Sequence, residues 1–113
     1  MRGRPKKYRI VRHDPKIVQF SPRGRPGRPD EAELGRDAYE AMRLVDHMGL
    51  SQKEAARSMN ISQQTLSRIL KRAHKVVADS LIRGNIIKIQ GGSYVFSHQD
   101  LETNPRQISE KNK

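Results

Sequence analysis

Apolar residues recur with a helical period in the middle of the chain and in shorter, strand-like runs toward both ends. Over residues 36–48, Ala38, Ala41, Met42, Val45 and Met48 follow the i, i+3, i+4, i+7 rule, which predicts an amphipathic helix stopped by Gly49. A second helix is predicted from an N-cap at Ser51, with Glu54 completing a capping box, to about Asn60. The third begins after an N-cap at Ser62. It keeps its apolar stripe through Leu66, Ile69, Leu70, Ala73, Val76, Val77 and Leu81 to Arg83, and Gly84 ends it. At ~1.5 Å per residue this helix is on the order of 33 Å long, so its second half is free to pack on the first helix or on a partner subunit.

Residues 1–30 are punctuated by Pro5, Pro15, Pro22, Pro26 and Pro29 and read as a basic arm. Within it, residues 8–11 and 17–20 have strand composition. Near the other end, Ile86, Ile87, Ile89, Val95 and Phe96 flank Gln90-Gly91-Gly92-Ser93, which predicts a β-hairpin over residues 85–98. The two ends are expected to pair into one small sheet, and the polar residues 99–113 to form a disordered tail. The predicted fold is mainly α: a three-helix helix-turn-helix domain over residues 31–84 with a long recognition helix, plus this small terminal hairpin or sheet.

Charge narrows the possible functions. Of 113 residues, 23 are Lys or Arg against 12 acids, a formal net charge of +11 that calls for a polyanionic partner. The charge is blocked: ten bases against two acids in residues 1–30, four against six in 31–61, and six against one in 62–88. Residues 89–113 balance at three of each. With no cysteine, thiolate metal sites and disulfides are excluded. No apolar run approaches the ~20 residues of a membrane span, and no signal peptide is visible, so a cytoplasmic, nucleoid-associated protein is expected. His13, His47, His74 and His98 lack metal-ligand spacing, and no nucleophile–base set or phosphate-binding glycine loop occurs. Neither a metal, a cofactor nor enzymatic activity is expected.

The segment from Ser51 onward fits a helix-turn-helix. Ala56 lies where two helices would cross most closely, Ala55 and Met59 complete the inner face, Ile61 plugs the turn, and Leu66 and Ile69 close the core. Asn60 holds the turn position that needs a left-handed backbone. An ordinary helical hairpin would satisfy the same apolar pattern, but residues 62–78 contain no acid. With the apolar stripe inward, Gln63, Gln64, Ser67 and Arg68 face outward in the turn that enters a major groove and are the candidate base contacts. Gln pairs in bidentate fashion with adenine and Arg with guanine. Ser62, Thr65, Lys71, Arg72 and Lys75 are the candidate phosphate contacts.

In the arm, Arg2-Gly3-Arg4-Pro5, followed by Lys6 and Lys7, and a second Arg23-Gly24-Arg25-Pro26 resemble the AT-hook. Glycine lets the backbone approach closely, and arginines are drawn by the negative potential of a narrow minor groove. Arg2, Arg4, Lys6, Lys7, Arg23 and Arg25 are therefore candidate minor-groove contacts.

The order and spacing of Arg4-Pro5-Lys6, Phe20-Ser21-Pro22, Asp37-Ala38-Tyr39-Glu40-Ala41-Met42-Arg43-Leu44, Gly49-Leu50-Ser51-Gln52-Lys53-Glu54-Ala55-Ala56, Val77-Ala78-Asp79-Ser80-Leu81 and Gly91-Gly92-Ser93-Tyr94 resemble an uncharacterised prokaryotic family of predicted DNA-binding proteins, domain of unknown function 134. The likeness covers about residues 3–95. It implies a helix-turn-helix similar to region 4 of sigma factors. Family members often carry Cys near the position of Tyr8, and some are joined to a domain related to iron–molybdenum cofactor biosynthesis; neither feature is present in this sequence. The expected function is sequence-specific binding of double-stranded DNA by a homodimeric transcriptional regulator. The alternatives are a sigma-like adaptor contacting RNA polymerase and promoter DNA, and a DNA-targeting module of a recombination or packaging assembly.

Overall fold

Short polar side chains set where the central helices begin and end. The structure, a computed structural model, describes residues 8–97. Its elements are β1 (Arg9–Val11), β2 (Gln19–Phe20), β3 (Glu31–Leu34), α1 (Arg36–Met42), α2 (Gln52–Met59), α3 (Gln63–Arg83), β4 (Ile86–Ile89) and β5 (Tyr94–Phe96). A π-helical turn, Arg43–His47, continues α1. Ser51 Oγ accepts the Glu54 amide at 3.0 Å while Glu54 Oε1 accepts the Ser51 amide at 2.9 Å, the capping box expected at this position. Ser62 Oγ caps α3 by accepting the Thr65 amide at 3.0 Å, and Gly84 closes that helix in the left-handed conformation.

The first helix covers the expected residues with a different buried face. Leu44, outside the apolar stripe read from the sequence, is wholly buried, whereas Met42, Val45 and Met48 are half-buried. The buried side centres on Ala41 and takes in Asp37 and Glu40. At the π turn the Met48 amide bonds to the Arg43 carbonyl, five residues back, at 2.9 Å. An apolar count places no carboxylate in a core, but Glu40 is neutralised in place. Arg43 Nε and Nη2 each donate to its carboxylate at 2.8 Å, and the Arg12 amide donates to Oε2 at 3.1 Å. The Arg12 Nε then reaches the Ser58 carbonyl and hydroxyl near the end of α2, at 3.1 and 3.0 Å. One buried carboxylate thus ties β1 to α1, and the same arginine ties β1 to α2.

The strands pair otherwise than as a hairpin. β4 and β5 enter different sheets: β5 runs parallel to β1, with Ile10 opposite Val95, and β4 is the centre of a three-stranded sheet ordered β2-β4-β3. β2 is antiparallel to β4 and β3 is parallel to it, pairing Leu34 with Ile89. β3 corrects the expectation that residues 31–34 belong to the helical domain: they pair with β4 as a four-residue strand. The Gly91-Gly92 turn exists, but it serves a close approach to the start of α1: the Arg36 amide bonds to the Gly91 carbonyl at 2.9 Å, and a Cβ on Gly92 would sit 2.5 Å from Asp37 Oδ1. The two chain ends do pair, as expected, but in two sheets. The fold is therefore mixed α/β, with three helices and two small sheets, instead of mainly α. Residues 99–113, expected as a tail, lie outside the described residues.

One core joins these layers. Leu44, Ala55, Met59, Leu66 and Ala73 have no solvent access, and Leu34 and Ile89 bring the three-stranded sheet into the same cluster. Leu81, placed by its period on the core stripe of α3, is instead 74% exposed, because the inward position of that turn is taken by Ser80, 2% exposed with its hydroxyl donating to the Val76 carbonyl. Replacing Glu40 by Ala should cost about 3–5 kcal/mol of unfolding free energy, since it strands the Arg43 guanidinium in a nearly closed site. A smaller loss in the Glu40→Leu/Arg43→Leu double variant, measured by urea denaturation, would assign the cost to the unpaired charge.

Candidate nucleic-acid interface

Two helices can cross closely only where neither carries a bulky side chain, and Ala55 and Ala56 meet that need on α2. Both are buried, with Met59, Leu66 and Ile69 around them. At the end of α2, Asn60 adopts φ 58° and ψ 46°, the left-handed conformation expected from its side chain. The Ile61 amide returns to the Ala56 carbonyl at 3.0 Å, and the Ile61 side chain packs on the core. The connection between α2 and α3 is therefore three residues, Asn60, Ile61 and Ser62, of which the first caps α2 and the last caps α3.

α3 presents two chemistries on opposite sides. Leu66, Ile69, Leu70 and Ala73 are buried, while Gln63, Gln64, Ser67, Arg68, Lys71, Arg72 and Lys75 are all exposed. The structure thus brings the four candidate base contacts together on the outer side of the first two turns, with three candidate phosphate contacts beyond them. Arg68, Lys71 and Arg72 make no ion pair or side-chain hydrogen bond among the described residues. Lys75 differs, because its Nζ lies 3.2 Å from Asp79 Oδ1 in an exposed i,i+4 pair. Ser62 and Thr65 are occupied with each other: Ser62 Oγ caps the helix and also lies 2.9 Å from Thr65 Oγ1. Their hydroxyls first serve the start of the helix.

The arm residues separate. Arg2, Arg4, Lys6 and Lys7 fall outside the described residues. Arg23 is exposed, but Arg25 is held by the fold: its Nη1 donates to the carbonyls of Arg83 and Gly84 at the C-terminal end of α3, where a helix favours a cation. The expectation that both arginines of this run are free for a minor groove therefore narrows to Arg23.

One contact of α3 has no signal in the sequence. His74 Nε2 lies 2.7 Å from Asp46 Oδ2, joining the π turn to the middle of α3. The Tyr39 phenol is pushed above its ordinary value, chiefly by burial, with nearby Arg43 opposing and Glu40 adding to the rise. Among the described residues, no group of three or more His, Asp or Glu side chains is placed to hold a metal, and no helix is long and apolar enough to cross a membrane.

These elements define a small mixed α/β protein whose longest helix exposes a polar face with no acid before Asp79. The chain belongs to the family described as protein of unknown function DUF134, whose model matches residues 1–97. It is 48% identical over 91 residues to a UPF0251 protein of Prosthecochloris aestuarii, covering 80% of this chain and 59% of that one. To UPF0251 proteins of Desulfosudis oleivorans and Methanococcus maripaludis strain C5 it is 44% identical, over 86% and 82% of this chain and 71% and 72% of theirs. The chain thus spans about three-fifths of the length of the Prosthecochloris relative. No solved structure matches it.

The close crossing makes its own prediction. Ala56→Leu should destabilise the protein by about 1–3 kcal/mol, because the added methylenes have no space between α2 and α3. Chemical denaturation should show it as a lower midpoint at unchanged slope; an unchanged midpoint would mean that the helices are not in close contact there.

Proposed function

We propose that this protein binds double-stranded DNA sequence-specifically, that α2 and α3 act as a helix-turn-helix with α3 as recognition helix, and that it acts as a transcriptional regulator in homodimeric form. The observation that carries this reading is the outer side of α3: Gln63, Gln64, Ser67 and Arg68 stand exposed immediately after a three-residue turn, followed by Lys71 and Arg72 without acidic partners among the described residues. A helix entering the major groove by its N-terminal turns needs hydrogen-bonding side chains first and cations next, where the phosphates flank it. Each bidentate Gln–adenine or Arg–guanine pair supplies about 1–3 kcal/mol of discrimination. The net charge of +11 supplies the sequence-independent attraction.

The arm extends this reading. Arg2, Arg4, Lys6 and Lys7, together with Arg23, would follow an adjacent narrow minor groove, where A·T-rich sequence gives the strongest negative potential. An RNA target is disfavoured because the exposed side of α3 carries no Phe, Tyr or Trp on which a base could stack, and its imidazole, His74, is engaged with Asp46.

Selection from random duplexes tests the proposal directly: a palindromic site should be enriched, and absence of any enriched site would sink it. Two substitutions divide base from phosphate contacts. Arg68→Ala should relax specificity at one position of each half-site, at ~1–3 kcal/mol, whereas Lys71→Ala should weaken all duplexes alike and lower the log–log salt slope by about 1. Identical behaviour of the two variants would overturn the division. Removing residues 1–7 should reduce affinity most for sites with A·T-rich flanks, and an unchanged preference would exclude minor-groove contact by the arm.

A further inference from the structure

The second Arg-Gly-Arg-Pro run is built into the fold as an arch at the end of α3. Its feet stand on the first residues of β4: Phe20 pairs with Ile87 on one side, and on the other the Asp30 carbonyl accepts the Ile86 amide at 2.8 Å. Gly24 and Gly27, at φ 83° and 80°, bend the chain on either side of Arg25-Pro26, in the left-handed region open to glycine. The Arg25 guanidinium ties the middle of the arch to the helix by donating to the Arg83 and Gly84 carbonyls.

Between the arch and the helix lies a hollow of about 190 Å³, with Phe20, Pro22, Leu81, Gly84 and Ile87 in its lining. That volume is below the ~300 Å³ at which sites for drug-sized molecules begin, and it suits a single large side chain. The apolar part of the lining has no cover: Phe20 is 54% exposed and Leu81 74%. Charge around the hollow has one sign. Residues 20–29 and 80–87 hold four arginines and no acid. Arg25 lies against the lining residue Gly84 with its charge met only by neutral carbonyls, and the exposed Arg83 directly precedes that glycine. Neither arginine has an acidic partner among the described residues. Asp79, the nearest acid along α3, faces Lys75.

We infer that this hollow is the docking site of an acidic segment of a partner protein, which seats one apolar side chain against Phe20 and Leu81 and sets carboxylates beside Arg25 and Arg83. An apolar centre rimmed by arginine is the composition of a protein interface. A nucleic-acid backbone would satisfy the arginines and leave Phe20 and Leu81 in water. A neutral apolar molecule would fill the hollow and leave the arginines unmet. A peptide that carries both chemistries answers both. The tie from Arg25 holds the arch in shape before any partner arrives, so docking orders little further chain. The site is at the other end of α3 from the candidate base contacts: Arg83 lies fifteen residues past Arg68, about 22 Å along the axis. A duplex and an acidic segment can therefore be held together, and the inference does not depend on the DNA-binding reading.

The test is selection from a random decapeptide library on the full chain, at physiological salt and without DNA. Enriched peptides should carry a Leu, Ile, Met or Phe with Asp or Glu close by on both sides. Fluorescence anisotropy with one enriched peptide then compares the wild type with Leu81→Asp, Arg83→Glu and Lys71→Glu. The first two substitutions should each weaken binding about 10-fold or more, as expected of an anchor contact and its charged rim. Lys71→Glu makes the same change of charge about 18 Å back along α3, beyond the ~8 Å Debye length, and should change binding by about 2-fold or less. Far-UV circular dichroism checks folding; should Leu81→Asp lose helix, Arg83→Glu, at an exposed position, carries the test. Failure to enrich any peptide overturns the inference, as does enrichment of peptides that lack either the acids or the apolar residue. Equal loss in Lys71→Glu also overturns it, because general attraction to a chain of net charge +11 gives that result. So does an Arg83→Glu variant that loses duplex affinity and keeps the peptide, the behaviour of a phosphate contact. A protein that selects peptides and no duplex would refute the DNA-binding reading alone, and one that selects a duplex and no peptide would refute this site alone.

Discussion

A carboxylate without solvent access organises this molecule. Glu40 is buried from every side, and an ion there is tolerable only when its lone pairs are met. Arg43 meets two of them from the next turn of the same helix, and the backbone of Arg12 brings in the first strand. Since the Arg12 side chain continues to Ser58, the position of β1 and that of α2 are set by linked contacts. α2 in turn packs with α3 in one core cluster that takes in Ala55, Ala56 and Met59 of the first and Leu66 and Ile69 of the second. The direction in which the exposed side of α3 points thus traces back to one buried charge.

α3 is the element on which the other features converge. Its inner side completes the core, its outer side collects amides, a hydroxyl and cations, and its last turns carry apolar residues with no cover in the single chain. The brace from Arg25 at the C-terminal carbonyls and the link from Asp46 to His74 hold the helix at its end and its middle.

The parts legible in the sequence are those governed by local rules. Ser51 with Glu54, Asn60, Ser62 and Gly84 mark helix ends because capping and left-handed backbone depend on a few neighbouring residues. The exposure of Gln63, Gln64, Ser67 and Arg68 followed from the 3.6-residue period once Leu66, Ile69 and Leu70 were taken inward. The misplaced features are of another kind. Periodicity places neither Glu40 nor Asp37 on the buried side of α1, because a carboxylate reads as polar unless its distant partner is known. The four-residue strand β3 escaped notice because Glu31 and Glu33 alternate with Ala32 and Leu34, a weak pattern that becomes a strand only when β4 lies beside it.

By itself the sequence determined the three helices, the tight turn between α2 and α3, and the polar and cationic character of the outer side of α3, since each depends on spacing along a single stretch of chain. Only the tertiary structure decided that the two terminal segments join two sheets in place of one hairpin, that Arg25 is bound to a helix end, and that Leu81 lies outside the core. Strand partners, ion pairs across the chain and the extent of a covering layer are set by contacts between residues far apart in order, and periodicity carries no information about those.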